Sequence, residues 1–211
     1  MLTAKIFQPE DTDIEKLIRS HPFALVICGA ADSFQATPLP LLVEYATSGE
    51  WVLIGHFARA NPQVAQLQKD PRALIVFQGP HGYISPSWMR DRTQAPTWNL
   101  MMVQCHVEIN FEPGLAHAIE AVDLLSAVME SGRPDAWSPD EMGERHSRLA
   151  QGVIAFRATV TEINAKFKLG QNERIDVLED ILKGLDHTGQ RSLQAAMSHA
   201  NRERRAASSN E

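Results

Sequence analysis

The strongest constraint on the fold is an alternation of side chains between residues 101 and 111. The polar residues Gln104, His106 and Glu108 each stand between two apolar residues. Successive side chains of a β-strand point to opposite faces of a sheet, so a period of two residues predicts a strand. One face of this strand is expected in a core, and the other in water or at an interface. The apolar positions are Met101, Val103, Cys105, Val107, Ile109 and Phe111.

Five more apolar segments predict strands, and turns or short helices separate them. The sequence contains no glycine-rich phosphate motif of the Rossmann or P-loop type, which disfavours a doubly wound parallel sheet. It therefore predicts an α+β fold, a mostly antiparallel β-barrel with peripheral helices. The five strand segments are 23–30, 34–45, 51–57, 73–78 and 153–168, and helices are predicted over 11–21 and 114–130, near 140–150, and after Asn61 and Asn172.

Residues 79–96 are predicted to form a long loop. Pro80 and Pro86 lack a backbone donor and disfavour helix at the residue before them. A backbone fixed by proline would hold Tyr83 and Trp88 rigidly. That arrangement suits either the cover of a planar ligand or half of a subunit interface, and both alternatives are compatible with these residue types.

Composition and charge bear on the possible partners. The chain has 211 residues and a formal net charge of −6, and its basic cluster NRERR (201–205) is expected to be a solvated helix end rather than a DNA-binding arm. No apolar run approaches the roughly 20 residues that span a bilayer, and no signal peptide is recognised. Cys28 and Cys105 lie in apolar segments and are expected to be buried free thiols of a cytoplasmic protein.

Two short segments suggest anion binding. In GHFARANPQ, Arg59 precedes a helix that is predicted to begin at Asn61, and a helix N-terminus beside an arginine suits a phosphate. Alternatively, Asn61 only caps the helix and Arg59 only meets solvent. In KFKLGQN, Lys166 and Lys168 share one face of a strand, which suits an anion or a solvated surface.

Motifs for catalysis are not found in the sequence. Neither an HExxH segment nor a paired CxxC motif occurs, and no serine has the strand-turn-helix context of a nucleophile elbow. No catalytic or metal-ligating residue is therefore assigned.

Four motifs in the same order and spacing resemble the PaiB-type FMN-binding negative transcriptional regulators: GHFARANPQ (55–63), ALIVFQGPHGYISPSWM (73–89), APTWN (95–99) and KFKLGQN (166–172). The resemblance implies a split β-barrel of the flavin-reductase and pyridoxamine-phosphate-oxidase kind over residues 1–185. Residues 186–211 would then form a helical or disordered tail. It further implies a homodimer that binds FMN in a cleft at the subunit interface.

The resemblance also implies roles for twelve residues at the matching positions. Thr37 and Leu39 would line the flavin ring, and a second group would hold the phosphate end. The remaining residues would shape the wall of the cleft and close it. The phosphate group is His56, Ala58, Arg59 and Asn61; the wall is Ser87, Trp88, Thr97 and Asn99; the closing residues are Lys168 and Gln171.

The sequence departs from the family pattern at four positions. Pro38 stands where members usually have His, Met89 where an aromatic residue follows Ser-Trp, Leu100 where Tyr follows Thr-Trp-Asn, and Gly170 where Ser is usual. The resemblance implies an FMN-binding transcriptional regulator. The alternatives are a flavin-dependent oxidoreductase for a small molecule and a dimeric binding module without FMN. Because the charge is acidic and no helix-turn-helix pattern is recognised, direct DNA binding is doubtful and regulation through a partner is expected.

Overall fold

The computed structural model describes residues 3–30 and 33–208. Within these residues, three short 3₁₀ helices accompany seven strands and seven α-helices, which we number in chain order. The strands are β1 (Phe23–Ala30), β2 (Ser33–Pro40), β3 (Leu42–Tyr45), β4 (Trp51–Ala58), β5 (Arg72–Ile84), β6 (Thr97–Glu112) and β7 (Val153–Lys168). The α-helices are α1 (Asp11–Ser20), α2 (Pro62–Lys69), α3 (Leu115–Glu130), α4 (Glu144–Ala150), α5 (Ile175–His187), α6 (Arg191–Ala200) and α7 (Arg202–Ser208), and the 3₁₀ helices are Lys5–Phe7, Pro86–Trp88 and Pro139–Met142.

The strands form one sheet in the order β2-β1-β5-β6-β7-β4-β3. The pairs β1/β2, β1/β5, β3/β4 and β4/β7 are antiparallel. The predicted fold class, an α+β fold with a mostly antiparallel sheet and peripheral helices, is therefore confirmed. Of the helices in the described part of the chain, none is long and apolar enough to cross a membrane.

The described residues divide into two compact units. We call residues 15–30, 33–77 and 104–164 the sheet unit, and residues 3–14, 78–103 and 165–208 the terminal unit.

In the sheet unit, alternate side chains of the strands form the core, as the period of two predicts. Phe57 and Phe156 are fully buried, with ring centroids 5.2 Å apart. Burial of one such ring contributes about 1.5–3 kcal/mol to the free energy of unfolding. Gly55 leaves the necessary space, since a Cβ atom there would lie 2.4 Å from Leu41 Cδ2.

In the terminal unit, helix α5 contributes five apolar side chains to the core. Its buried apolar residues recur at helical spacing and are Val177, Leu178, Ile181, Leu182 and Leu185. The helix begins at Ile175 with Arg174 at the N-cap, so the prediction of Asn172 as the cap is wrong. Beyond α5, Leu193 and Met197 of α6 are also buried.

Two other sequence expectations are wrong. Residues 79–84 belong to strand β5 rather than to a loop, and the segment 34–45 forms two strands that are broken at Leu41. The alternation of burial in β5 changes phase between the buried residues Gly79 and Gly82. A shift of one residue beside Pro80 is typical of a bulge, which tolerates a residue without a donor. Pro86 lies in the first turn of a 3₁₀ helix, where a backbone N–H would have no partner within the helix, so its absence costs nothing.

Candidate functional site

The twelve predicted site residues divide equally between the two units. The sheet unit contains Thr37, Leu39, His56, Ala58, Arg59 and Asn61, and the terminal unit contains Ser87, Trp88, Thr97, Asn99, Lys168 and Gln171. The structure brings some residues within each set into direct contact and leaves others in purely structural roles.

Thr37 and Asn61 meet in a closed hydrogen-bond network beside α2. The Asn61 Nδ2 donates to Thr37 Oγ1 at 3.0 Å, and the Thr37 hydroxyl donates to Gln63 Oε1 at 2.6 Å. Gln63 is fully buried, and its Nε2 donates to the Val26 carbonyl at 3.0 Å. This network ties the start of α2 to strands β1 and β2, and Gln63 is a member that sequence reasoning missed.

The N-terminus of α2 has few donors left for a phosphate. Asn61 caps the helix by accepting a bond from the Gln63 amide at 2.9 Å, and Pro62 has no N–H. The Val64 amide donates to the Asn61 carbonyl at 3.0 Å. These first-turn positions are therefore occupied, so an anion beside this helix would depend on the side chain of Arg59.

Arg59 follows β4 and is exposed. Its Nη2 donates to the Val153 carbonyl at 2.8 Å, and its Nε donates to the Gln151 carbonyl at 3.2 Å. Among the ion pairs of the described residues, none involves Arg59. A guanidinium held by neutral carbonyls is fixed in position and keeps its full charge for an external anion.

The three other residues of this set, His56, Ala58 and Leu39, lie in strands β4 and β2. His56 of β4 pairs with Ala155 of β7, and its Nδ1 is buried without a hydrogen-bond partner in the described structure. Burial lowers the pKa of His56, so the imidazole is neutral near pH 7. Ala58 is exposed at the end of β4, and Leu39 of β2 is half-buried opposite Ala24.

Lys168 and Thr97 meet in the terminal unit, where the ammonium of Lys168 donates to Thr97 Oγ1. No described ion pair includes Lys168. Gln171 closes the turn after β7, because its Oε1 accepts from the Leu169 amide at 2.7 Å and its Nε2 donates to the Phe167 carbonyl at 2.7 Å. Gln171 therefore shapes the backbone around Lys168, and both of its polar groups are engaged.

Trp88, Asn99 and Ser87 contact their own unit. The indole of Trp88 packs on Gly184 of α5 so closely that a Cβ atom on that glycine would lie 2.4 Å from Trp88 Cδ2. Asn99 is 2% exposed, and its Nδ2 donates to Met197 Sδ at 3.4 Å. Ser87 is exposed and lies 2.7 Å from the Ser85 hydroxyl.

An aromatic cluster on β5 and β6 was not assigned from the sequence. His81 stacks on Trp98 with ring centroids 6.4 Å apart, and Tyr83 lies 6.2 Å from Trp98. Trp98 is 56% exposed and Tyr83 is 44% exposed. His81 and Tyr83 are two residues apart, which in a strand places both on one face. Because residues 79–96 were predicted to form a loop, this spacing was not interpreted as a shared face with Trp98.

The four departures from the family pattern have different surroundings. Pro38 is exposed and pairs with Leu25 across the β1/β2 ladder, whereas Met89 is 5% exposed. Leu100 is half-buried in β6. Gly170 has φ +81, a left-handed conformation that favours glycine over the usual Ser.

The cysteines offer no reactive nucleophile. Cys28 and Cys105 are free and buried. Burial raises the pKa of Cys105 to about 12 and also raises the pKa of Cys28, so both thiols stay protonated at neutral pH. Among the described residues, no three His, Cys, Asp or Glu side chains form a group that could hold a metal ion.

A cavity of about 570 Å³ lies in the sheet unit, away from these residues. Leu41, Leu124 and Val128 line it, with Arg19 and Tyr45 among its polar groups. None of the twelve predicted site residues contributes to its lining.

Comparison with known proteins establishes the family. Residues 1–162 match a family model described as "Putative FMN-binding domain". The chain is 30% identical over 168 residues to protease synthase and sporulation protein PAI 2 of Bacillus subtilis, which covers 76% of each chain.

Two solved structures share the fold. The flavocytochrome Anf3 from Azotobacter vinelandii has a TM-score of 0.59 at 13% identity, over 77% of this chain and 69% of that one. The FAD and heme binding protein from Mycobacterium smegmatis has a TM-score of 0.57 at 14% identity, over 85% of this chain and 80% of that one. The resemblance read from the four motifs is confirmed, and the chain belongs to the FMN-binding family of PaiB-type proteins.

Proposed function

We propose that this protein binds FMN as a homodimer and acts as a PaiB-type negative transcriptional regulator. The observation that carries the FMN proposal is that Arg59 in the sheet unit and Lys168 in the terminal unit donate their described hydrogen bonds only to neutral oxygens. Lys168 is half-buried, and a half-buried cation without a carboxylate partner is costly unless an anion completes it. Arg59 is exposed, and its guanidinium is held in position with its charge available to an anion. Both cations also lie at positions to which the family resemblance gives a cofactor role.

The residues present fit the chemistry of FMN. Arg59 and Lys168 are suited to its anionic groups, and the unpartnered Nδ1 of the neutral His56 is suited to a hydrogen bond with a polar edge of the cofactor. When bound, FMN supplies an isoalloxazine ring that accepts and returns electrons. The protein residues hold and orient that group.

The FMN proposal is tested by titrating the purified protein with FMN and following flavin absorbance and fluorescence. Wild type should give saturable binding. Arg59→Ala should weaken it by about 1.5–3 kcal/mol, since a charge-assisted contact is lost. Arg145→Ala is the control. Arg145 is exposed on α4, and its substitution removes the same charge from the sheet unit.

No binding by folded wild-type protein would reject the proposal and leave a dimeric module without FMN. Unchanged affinity in folded Arg59→Ala would remove Arg59 from the site. Rapid oxidation of NADH or NADPH by the FMN-loaded protein would instead favour the alternative of a flavin-dependent oxidoreductase.

The homodimer proposal is supported by an exposed apolar face on β1 and β2. Phe23 is 66% exposed and Phe34 is 81% exposed. Leu25, which is also exposed, pairs with Pro38, and Phe23 pairs with Pro40, so these side chains share one face of the ladder. Contiguous apolar surface of this kind marks an interaction site, and a second copy of the chain would cover it symmetrically.

Leu25→Glu should shift the protein towards monomer in sedimentation equilibrium, because a charge would be buried at the proposed interface. Leu149→Glu is the matched control, since Leu149 is 52% exposed on α4 and lies off this face. A monomeric wild type would reject the homodimer. An equal loss of dimer in both variants would mean that this face is not the interface.

We further infer that regulation passes through a partner and not through direct DNA contact. The formal net charge is −6, and two arginines of NRERR are engaged within the protein: Arg204 donates to the Glu173 carbonyl, and Arg205 pairs with Glu179 at 2.6 Å. The buried free thiols support a cytoplasmic site of action. Retention of the pure protein on duplex DNA at low salt, lost as salt rises, would contradict this inference.

A further inference from the structure

The turn that follows Lys168 is bound by side chains from the C-terminal helices. Asn201, at the C-cap of α6, is fully buried, and its Nδ2 donates to the Leu169 carbonyl at 2.9 Å. The guanidinium of Arg204 in α7 donates to the Gly170 carbonyl at 3.3 Å and to the Glu173 carbonyl at 2.5 Å. Three carbonyls of one turn are thus satisfied from more than 30 residues away in the sequence.

The two side chains also support each other. Arg204 donates to Asn201 Oδ1 at 2.7 Å, and Asn201 Nδ2 donates to the Met197 carbonyl at 2.8 Å. Asn201 is therefore fixed at both ends of its amide, and a fully connected buried network of this kind holds one geometry. The NRERR segment was expected to be a solvated helix end; this expectation is wrong, because its asparagine and two of its arginines are docked.

The same helices contact the strand that carries the partner of Lys168. Met197 Sδ accepts from Asn99 Nδ2, and Asn99 lies two residues after Thr97 in β6. Side chains two apart share a face of a strand, so Thr97 and Asn99 face the same side. Lys168 is thus bracketed: its backbone turn is held by Asn201 and Arg204, and the strand of its hydroxyl partner is held by Met197.

A lysine side chain has many rotamers and is not fixed by a single hydrogen bond. Its ammonium reaches a defined point only if the backbone that carries it is fixed. Gln171 closes the turn from inside, and the Glu173 amide also donates to the Gly170 carbonyl at 3.1 Å. The carbonyls of Leu169, Gly170 and Glu173 accept further hydrogen bonds from the C-terminal helices.

We propose that Asn201 and Arg204 are positioning residues, which hold the turn after β7 so that the ammonium of Lys168 binds an anionic group of FMN. This inference rests on the proposed function. Both residues lie beyond residue 162, where the match to the family model ends. The C-terminal segment is on this basis part of the cofactor-binding apparatus.

The test is a double-mutant cycle on FMN affinity with Lys168→Met, Arg204→Met and the double variant. Met keeps the apolar stem of each side chain and removes its charge. Arg202→Met is the matched control. Arg202 is exposed, lies two residues before Arg204 in α7, and contacts His199. Arg204→Met should raise the dissociation constant about tenfold, as expected for lost charge-assisted hydrogen bonds. Arg202→Met should leave it unchanged.

If Arg204 acts through Lys168, the double variant binds FMN no more weakly than Lys168→Met alone. If the two effects multiply, Arg204 acts independently, by its charge or by general stability, and the proposal is overturned. Wild-type affinity in Arg204→Met overturns it as well.

A second readout needs no FMN. The rate of reductive methylation of Lys168, measured by peptide mass spectrometry against the exposed Lys183, should rise in Arg204→Met. If wild type binds no FMN, the proposed function and the cofactor part of this inference fail together. The labelling then still decides the positioning itself, and an unchanged Lys168 rate overturns it.

Discussion

Arg59 and Lys168 are the two cations to which the family pattern gives a cofactor role, and the protein anchors them in different ways. Arg59 is held at its own guanidinium, which donates directly to the carbonyls of Val153 and Gln151. Lys168 has one hydroxyl partner, Thr97, and its placement depends on the turn that follows it. That turn is held from the C-terminal helices.

This difference shows that the residues that hold a motif side chain in place can lie either near the motif or far from it in the sequence. The partners of Arg59 lie within residues 1–162, the part of the chain that matches the family model. The residues that hold the turn beside Lys168 lie after residue 200. Substitutions in the C-terminal helices are therefore expected to disturb the region around Lys168, whereas the anchoring of Arg59 needs only residues of the matched region.

The largest effect is expected for Asn201→Ala. The variant loses two hydrogen bonds to carbonyls. The buried Leu169 carbonyl loses its side-chain donor, whereas the Met197 carbonyl keeps the backbone amide of residue 201 at 3.2 Å. The free energy of unfolding should fall by about 1–3 kcal/mol, the cost of one buried polar group that is left unsatisfied. Urea unfolding measures this value.

The control for Asn201 is Asn172→Ala, which changes an exposed asparagine in the same unit and should cost at most about 0.5 kcal/mol. A loss in Asn201→Ala as small as that of the control would show that the C-terminal helices do not brace the turn. The contrast with Arg59 would then disappear.

A smaller effect should separate Gly170 from Gly132. Both have left-handed φ, +81 and +80, so alanine costs about 1–2 kcal/mol of backbone strain at either position. At Gly132 a Cβ atom meets nothing within 4 Å, whereas at Gly170 it would lie 3.0 Å from Met197 Cε and 3.3 Å from Leu178 Cδ1. Gly170→Ala should therefore destabilise the protein by about 1 kcal/mol more than Gly132→Ala.

Thermal or urea unfolding of the two glycine variants gives the comparison directly. Equal losses would mean that Met197 moves away at no cost, so that α6 does not press on the turn. The larger loss at Gly170 would add packing to the hydrogen bonds by which the C-terminal helices fix the surroundings of Lys168.

Sequence patterns predicted the sheet better than the contacts of the site. The alternation through Val103 and Cys105 predicted the face of β6 that is buried, because a period of two is a local property of a strand. The loop prediction around Pro80 was wrong because tertiary pairing tolerates one missing donor at a bulge. Rules that consider only neighbouring residues in the sequence do not predict a bulge of this kind.

The contacts of the site were missed for a related reason. Thr37 meets Asn61 across 24 residues, and Leu169 meets Asn201 across 32. No periodicity within one element encodes such a pair. The motifs indicated which residues matter, and the fold decides what each one contacts. Gln171, for instance, hydrogen-bonds only to backbone groups, and Asn61 binds the Gln63 amide through Oδ1 and Thr37 through Nδ2.

The smallest effect is expected from the pH dependence of His56, which tests whether the His56 ring is held by burial alone. Burial lowers the pKa of His56 from its ordinary value of 6.5 in the folded protein. As the pH falls below 6.5, the unfolded chain takes up a proton that the folded chain does not, so the free energy of unfolding decreases. Above 6.5 both states are neutral and the contribution is constant.

Urea unfolding of wild type and His56→Gln between pH 7.5 and 5.5 measures this difference. Wild type should lose more stability over the interval, by at most about 1.4 kcal/mol per pH unit, the limit for one proton. The carboxyls of Asp70 and Asp91 do not contribute there. Hydrogen bonds from Arg72 and Thr93 lower their pKa values to about 2, so their stabilisation is lost only as the pH falls below about 4.

Equal pH profiles for wild type and His56→Gln would mean that the imidazole is charged or solvated in the folded protein. In that case the sheet unit, like the terminal unit, would need a partner group to hold its site residue. A steeper wild-type profile that is flattened by FMN would indicate that the ligand supplies the missing partner of Nδ1, because a hydrogen bond at that atom changes the protonation equilibrium of the ring.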